Sequence, residues 1–188
     1  MMSRFNIPSR EDANIDTHST LDAVGKRLGF IPNLHRLMSI SPNAFAGWAA
    51  LQDALKQTLD ARTREGMALA VSEVNGCDYC IAAHSYVATT FTKSSPDELA
   101  LNREGTSSDP KRAVAIGFAK SLVEKRGKVT DEDLDAVRAA GFTDQQILEM
   151  VALSVQFLFT NFMNNVAKTH IDIPNAIAVK ASTAGSLV

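Results

Sequence analysis

The chain has 188 residues, 45% apolar and 21% charged, which suits one soluble domain with a core that needs no disulfide staples. Nineteen basic against twenty-one acidic residues leave a net charge of −2, and no Lys/Arg cluster stands out. That balance argues against nucleic acid and anionic membranes as partners.

The first seventeen residues, "MMSRFNIPSREDANIDT", are polar, contain Pro8 and read as an arm. They hold no apolar segment of the secretory type, no apolar run approaches a membrane span of ~18 residues, and the expectation is a cytosolic protein of one domain, 1–188. "THSTLDAVGKRLG" predicts a short helix capped by Ser19 or Thr20 and stopped by Gly29. A helical turn follows between Pro32 and Pro42. Pro42 then opens "PNAFAGWAALQDALKQTL", where Phe45, Trp48, Ala49, Leu51 and Leu55 keep a helical spacing. "DARTREGMALAVSEVNG" starts on an Asp60 cap and stops at Asn75-Gly76. Its middle, Met67 to Val71, is apolar on all sides and predicts a buried helix.

The next helix begins at or near Cys77 and runs to about Phe91. "TKSSPDELALNREGTSSDP" is loop-like, with a helical turn between Pro96 and Arg103. Asp109 caps the following helix, with Pro110 at its first position and Gly127 as its stop. Thr130 with Asp133 resembles a capping box, and Thr143 caps a long apolar helix reaching toward "IDIP". No stretch alternates long enough to demand a strand. The reading is all-α, with about seven or eight helices.

The chemistry concentrates in "NGCDYCIAAH", residues 75 to 84, which holds both cysteines of the chain. Thiols at a helix start lie near its positive dipole end, which favours thiolate over thiol; Asp78 opposes this. Cys80 and His84 are i and i+4, so the imidazole can take the thiol proton and steady the thiolate. Cys77 and Cys80, at i and i+3, have Cβ atoms ~5–6 Å apart on a regular helix, against ~3.5–4.5 Å in a disulfide. A bond between them needs local rearrangement, and a strained bond suits cycling. If the chain reverses at Asn75-Gly76, Glu65 falls opposite Tyr86, within one turn of His84, and is the candidate proton acceptor. Glu73 falls beside the cysteines and reads as structural.

Other readings stand beside these. The cysteines could be buried core residues, or with His84 and a carboxylate a zinc site, although no second ligand pair is evident. His18 and His35 read as surface or capping residues, and His170 as a helix-end residue. Asn161, Asn164 and Asn165 read as a hydrogen-bonded helix contact or subunit interface. Phe157, Phe159 and Phe162 read as core or interface before ligand cavity.

The stretch "REGMALAVSEVNGCDYCIAAH" resembles the core of the alkylhydroperoxidase D-like proteins of the carboxymuconolactone decarboxylase superfamily. The family pattern is Glu, eleven residues, Cys, two residues, Cys, three residues, His. Glu65, Cys77, Cys80 and His84 meet every spacing. "GFIPNL" and "FTNFMNNVAKTHIDIP" resemble its peroxidase-related branch, and the likeness runs over about residues 20 to 175. The resemblance implies a compact all-α fold carrying the CxxC pair at the start of a core helix. It implies hydroperoxide reduction with Cys80 as the peroxidatic thiol, Cys77 as the resolving thiol, and His84 passing the proton through a water to Glu65. It implies no metal or cofactor, a homo-oligomer, and an external thiol reductant, thioredoxin-like or lipoyl-bearing. The alternatives are a disulfide reductase or adaptor feeding another peroxidase, and a non-catalytic redox-sensing oligomer. In the characterised peroxidases a histidine stands between the cysteines; here the position holds Tyr79, a poor base at neutral pH. The decarboxylase branch generally lacks the CxxC pair, which disfavours lactone decarboxylation.

Overall fold

The computed structural model describes residues 3–174, and among them it contains helices and no strands. A 3-10 turn, Ile15–Thr17, leads into α1 (His18–Leu28). There follow α2 (Asn33–Met38), α3 (Pro42–Leu55), α4 (Ala61–Val74), α5 (Asp78–Thr90) and α6 (Pro96–Glu104). The chain continues as α7 (Pro110–Glu124), α8 (Asp131–Ala139) and α9 (Asp144–Ala167).

Local chemistry accounts for most helix starts. The side chains of Ser41, Asp60, Ser95 and Asp109 each accept the backbone N–H three residues on, satisfying a donor that the first turn leaves unpaired. Thr130 with Asp133, and Thr143 with Gln146, form reciprocal capping boxes. Pro42, Pro96 and Pro110 occupy first-turn positions where their missing N–H costs nothing.

Two starts depart from expectation. Neither Ser19 nor Thr20 caps α1: Asn14 accepts from Asp16 N (3.0 Å), begins a turn earlier and runs straight into the helix. The segment 96–103 forms the full helix α6 rather than a turn, because Ser95 caps it and Leu99 and Asn102 bury against the core. The N-terminal arm is likewise anchored. Ala13 and Thr17 are buried, and Arg4 N donates to Ala167 O (2.7 Å) at the end of α9.

The core forms around α4, which packs against α5, α6, α7 and α9. Met67 through Val71 are completely buried, as their uninterrupted apolarity requires. Met67, Ala68, Ala70 and Val71 join Ala115, Ile116 and Ala119 of α7 and Met150, Leu153 and Phe157 of α9 in the larger apolar cluster, while Leu69 packs with Ile81, Ala88 and Leu99. Gly66 permits the closest approach: a Cβ there would lie 2.3 Å from Ile116 Cδ1. Burying a side chain such as Met67 or Ile116 contributes about 1.5–3 kcal/mol.

Helix α9 corrects the expectation that no segment matches a membrane span, since by length and apolarity it could cross one. Here it is packed against α3, α4, α5 and α7, and it buries Gln156, Asn161 and Asn164 inside the protein. A second cluster lies around the first turn of α5, where Leu21, Leu34, Met38 and Phe45 meet Cys77, Tyr79, Cys80 and Ile173. The candidate site is built in this second cluster.

Candidate active site

The site begins where α4 ends. Asn75 closes the helix, and Gly76 takes a left-handed conformation (φ 58°) that turns the chain back along α4. Cys77 N then donates to Ser72 O (2.9 Å), fixing the reversal. Cys77 is not inside α5 but is its N-cap, and its sulfur accepts the Cys80 N–H (3.4 Å), taking the place of the usual cap oxygen. This folds the Cys77 side chain back over the first turn, so regular-helix spacing does not describe the pair. Both cysteines are free and buried.

One turn later, His84 Nδ1 lies 2.8 Å from Glu65 Oε2. The two side chains are 23% and 18% exposed. The antiparallel pairing of α4 and α5 across Gly76 brings the two residues together, two positions along α5 from Tyr86, where counting from the turn placed Glu65. Neither nearby arginine holds Glu65: Arg62 Nε donates to Thr92 O (3.1 Å), and Arg64 donates to Leu59 O. Phe157 sets its ring edge-on to the imidazole, with centroids 5.6 Å apart. Glu73 faces away and pairs with Arg103 (2.7 Å), in the structural role its position implied.

The electrostatics separate the two thiols. For Cys80, burial pushes the thiol up, but the Cys77 thiol hydrogen bond, the charge of His84 and the amides of Asn164 and Asn161 together bring it below its ordinary value. For Cys77, donation to Cys80 and burial both push the thiol up. Burial opposes protonation of His84, yet the Glu65 carboxylate raises its pKa above the ordinary value. Of the two thiols, Cys80 is thus the more readily ionised.

Residues from distant segments complete the surroundings. Asn164 Nδ2 donates to Cys80 Sγ (3.2 Å), while its Oδ1 is buried without a partner. Asn161 donates to Ser72 Oγ (3.1 Å) and accepts from Asn75 (3.0 Å), and Asn165 donates to Asn75 O (2.9 Å). These three asparagines strap α9 to the α4–α5 turn as a helix contact, and Asn164 goes further by donating to the Cys80 sulfur. Three amides in one turn of an apolar helix were the available signal.

Tyr79 is buried between the cysteines. Its hydroxyl donates to Asp172 Oδ1 (2.8 Å) and accepts from Leu34 N (3.1 Å). Burial and the Asp172 charge push its phenol up, so it holds its proton. Asp172 also accepts from Asn33 N (2.9 Å), tying the segment after α9 to α2. Asp172 lies within the quoted "FTNFMNNVAKTHIDIP", but nothing in that segment assigned it a role.

The other histidines divide. His18 Nε2 lies 3.0 Å from Ala13 O and serves as a local cap contact. His170 is exposed beyond the end of α9. The surface reading of His35 is corrected: it is buried against Phe45 and Trp48, and burial with the Arg27 charge lowers its pKa to about 3. Among the described residues no three His, Cys, Asp or Glu side chains group as metal ligands.

A cavity of about 310 Å³ opens onto this arrangement. Cys80, His84 and Glu65 form one part of its wall; Phe30, Trp48, Tyr86, Phe91 and Phe157 form much of the rest. Cys77 does not line it. Phe157 therefore serves both core and cavity, whereas Phe162 is exposed.

Residues 42–120, which span α3 to α7 and the whole Glu65–His84 arrangement, match the model of the carboxymuconolactone decarboxylase family. This match covers less than half of the 188 residues and marks the α3–α7 segment as similar to that family. No curated protein matches it significantly. Among solved structures it is similar to an alkylhydroperoxidase AhpD core protein from Ralstonia eutropha JMP134, uncharacterized and peroxidase-related. The identity is 26% and the TM-score 0.82, over 92% of this chain and 93% of that one. A peroxidase-related protein from Silicibacter sp. TM1040 superposes with a TM-score of 0.77 at 20% identity, over 89% of this chain and 91% of that one. The debrominase Bmp8 superposes with a TM-score of 0.75 at 19% identity, over 92% of each chain. The fold is accordingly that of the AhpD core, as the CxxC motif implied. A debrominase on the same backbone shows that the family fold alone does not name a reaction.

Proposed function

We propose that the protein is a thiol-dependent hydroperoxide reductase. The observation that carries this reading is that Cys80, His84 and Glu65 share one wall of a largely apolar cavity from which Cys77 is absent. A small peroxide entering the cavity meets the thiolate-forming sulfur first. The Cys80 thiolate attacks the outer peroxide oxygen, the O–O bond breaks, and the leaving alkoxide takes a proton from His84. Cys80 becomes a sulfenic acid. The Cys77 thiolate, formed as its proton passes to the departing hydroxide, attacks the Cys80 sulfur; water leaves and the disulfide forms. An external dithiol returns two electrons and two protons.

Glu65 holds Nδ1 of His84 and leaves Nε2 to exchange the proton with the sulfur side. Asn164 steadies the thiolate from α9. Tyr79, clamped by Asp172 and Leu34, is a positioning residue of the turn that carries the two cysteines and not a base.

Access favours this reading over a disulfide reductase or adaptor. Cys80 is 2% exposed, so a folded protein disulfide cannot reach it directly. The same argument supports a slender dithiol arm, of the lipoyl kind, over a thioredoxin-like surface as reductant. A dithiol that must be re-reduced fits a reducing, cytoplasmic compartment. The exposed series Leu148, Val155, Phe162 and Val166 runs along one side of α9 at roughly heptad spacing and supports pairing with a second copy of the chain.

The test is intact mass after reduction and exposure to a small excess of an organic hydroperoxide. Wild type is expected to lose two protons. Cys77→Ser is expected to gain one oxygen, on Cys80. If both proteins stay reduced over many minutes, hydroperoxide reduction is not the activity. A concentration-dependent change of oligomer size on oxidation without turnover would instead support a redox sensor.

A further inference from the structure

We infer that the cavity selects an organic anion: an apolar body whose far end, away from Cys80, carries a carboxylate. The inference rests on the hydroperoxide reading for its chemistry, but the binding preference is separate from it. Hydrogen peroxide needs no apolar chamber. At about 310 Å³ the cavity holds roughly ten water volumes, or an organic body of about ten heavy atoms.

Its charged lining is one-sided. Arg27, Lys56 and Arg64 line the cavity against the single carboxylate Glu65, although the whole chain has more acids than bases. Glu65 is engaged by His84. Arg27 and Lys56 line the cavity while exposed to solvent, so they stand at its mouth. Lys56 is paired with Asp53 (2.6 Å), and Arg64 donates to Leu59 O. Arg27 makes no ion pair among the described residues. The rest of the wall is largely apolar, with Phe30, Trp48 and Phe157 in it. A ligand seated there places its apolar body on the rings and its acid at the mouth. A guanidinium fork at that mouth suits a carboxylate, which it can bind through two parallel hydrogen bonds. A neutral hydroperoxide of the same length leaves that fork unused.

Trp48 is the only tryptophan of the chain and lines the cavity, so its fluorescence reports entry without any chemistry. The reduced full-length protein is titrated with octanoate and, separately, with 1-octanol. Octanoate is expected to bind at least about tenfold more tightly, since a charge-assisted contact outweighs a neutral one. Arg27→Gln is expected to bring octanoate to the affinity of octanol, and Arg27→Lys to restore part of the difference. Equal affinity of the two ligands in wild type, equal weakening of both by Arg27→Gln, or no response to either would overturn the inference.

A second arm compares the rate of Cys80 oxidation by an eight-carbon hydroperoxy carboxylic acid and by its methyl ester. A preference of at least about tenfold in kcat/KM for the acid supports the inference, and equal rates overturn it. If octanoate binds as expected but neither peroxide oxidises Cys80, the anion site stands and the hydroperoxide reading fails.

Discussion

The packing around α4 and the packing around the first turn of α5 use different materials. Around α4 the contacts are mainly Met, Ala, Val, Leu, Ile and Phe, with Gly66 admitting the helix opposite and a few small buried polar groups such as Ser72 and Asn102. Around Cys80 the protein buries His35, Tyr79, Asn161 and Asn164 among the apolar residues. Seven buried side-chain polar atoms among the described residues lack a partner, and five belong to His35, Arg36, Trp48, Asn164 and Thr169, in or beside this second region. Each unpaired buried group costs about 1–3 kcal/mol. The first region is therefore built for stability, and the second gives some up to hold a thiolate beside an apolar cavity.

Substitutions in the two regions should therefore fail differently. Cys80→Ser is expected to lower hydroperoxide consumption at least about a thousandfold, because it removes the nucleophile. Its urea midpoint should shift by less than about 1 kcal/mol equivalent. Met150→Ala, in the first region, should reverse the pattern. Urea unfolding is expected to show about 2–5 kcal/mol lost to the cavity, with the rate per folded molecule unchanged. A thousandfold loss of turnover in Met150→Ala would erase the distinction.

The pH dependence sharpens the contrast. His35 has a folded pKa of about 3, below its ordinary 6.5. Below 6.5 the unfolded chain takes up a proton that folded His35 refuses, so stability falls as pH drops from 6.5 toward 3. Between pH 7 and 5 this amounts to about 2 kcal/mol, at 1.36 kcal/mol per unit. Urea titrations of His35→Leu should show that much less acid sensitivity than wild type.

The smallest effect concerns Asn164. Asn164→Leu removes a donor to the Cys80 sulfur, so the thiol pKa rises and less thiolate is present at neutral pH. The oxidation rate at pH 7 should fall about tenfold, the equivalent of about 1.4 kcal/mol, and recover as pH rises. Parallel pH–rate profiles with no alkaline displacement would remove Asn164 from the site.

What could be read in the sequence follows the same division. Helix starts are local, so Asp60, Asp109, Thr130 and Thr143 could be named from a few neighbouring residues each. The Glu65–His84 contact was also legible, because two helices joined by a tight turn have a register that counting from Gly76 recovers to within one turn. Asn164 and Asp172 reach the cysteine turn across 84 and 93 residues, and no periodicity links such positions. His35 was misplaced because its burial is decided by Phe45 and Trp48 on the next helix, while its own polarity points outward.

The bonds from Asp172 and His170 to Tyr79 and Asn33 span 93 to 139 residues. Contacts so distant along the chain form only after long loops have closed, whereas α4 can pair with α5 almost as soon as both are wound. Refolding is therefore expected to restore helical circular dichroism before the cysteines acquire their native surroundings, which stopped-flow circular dichroism run beside thiol labelling would check. Until those contacts form, neither thiol has the full burial and hydrogen bonding that distinguish Cys80 from Cys77 in the folded protein.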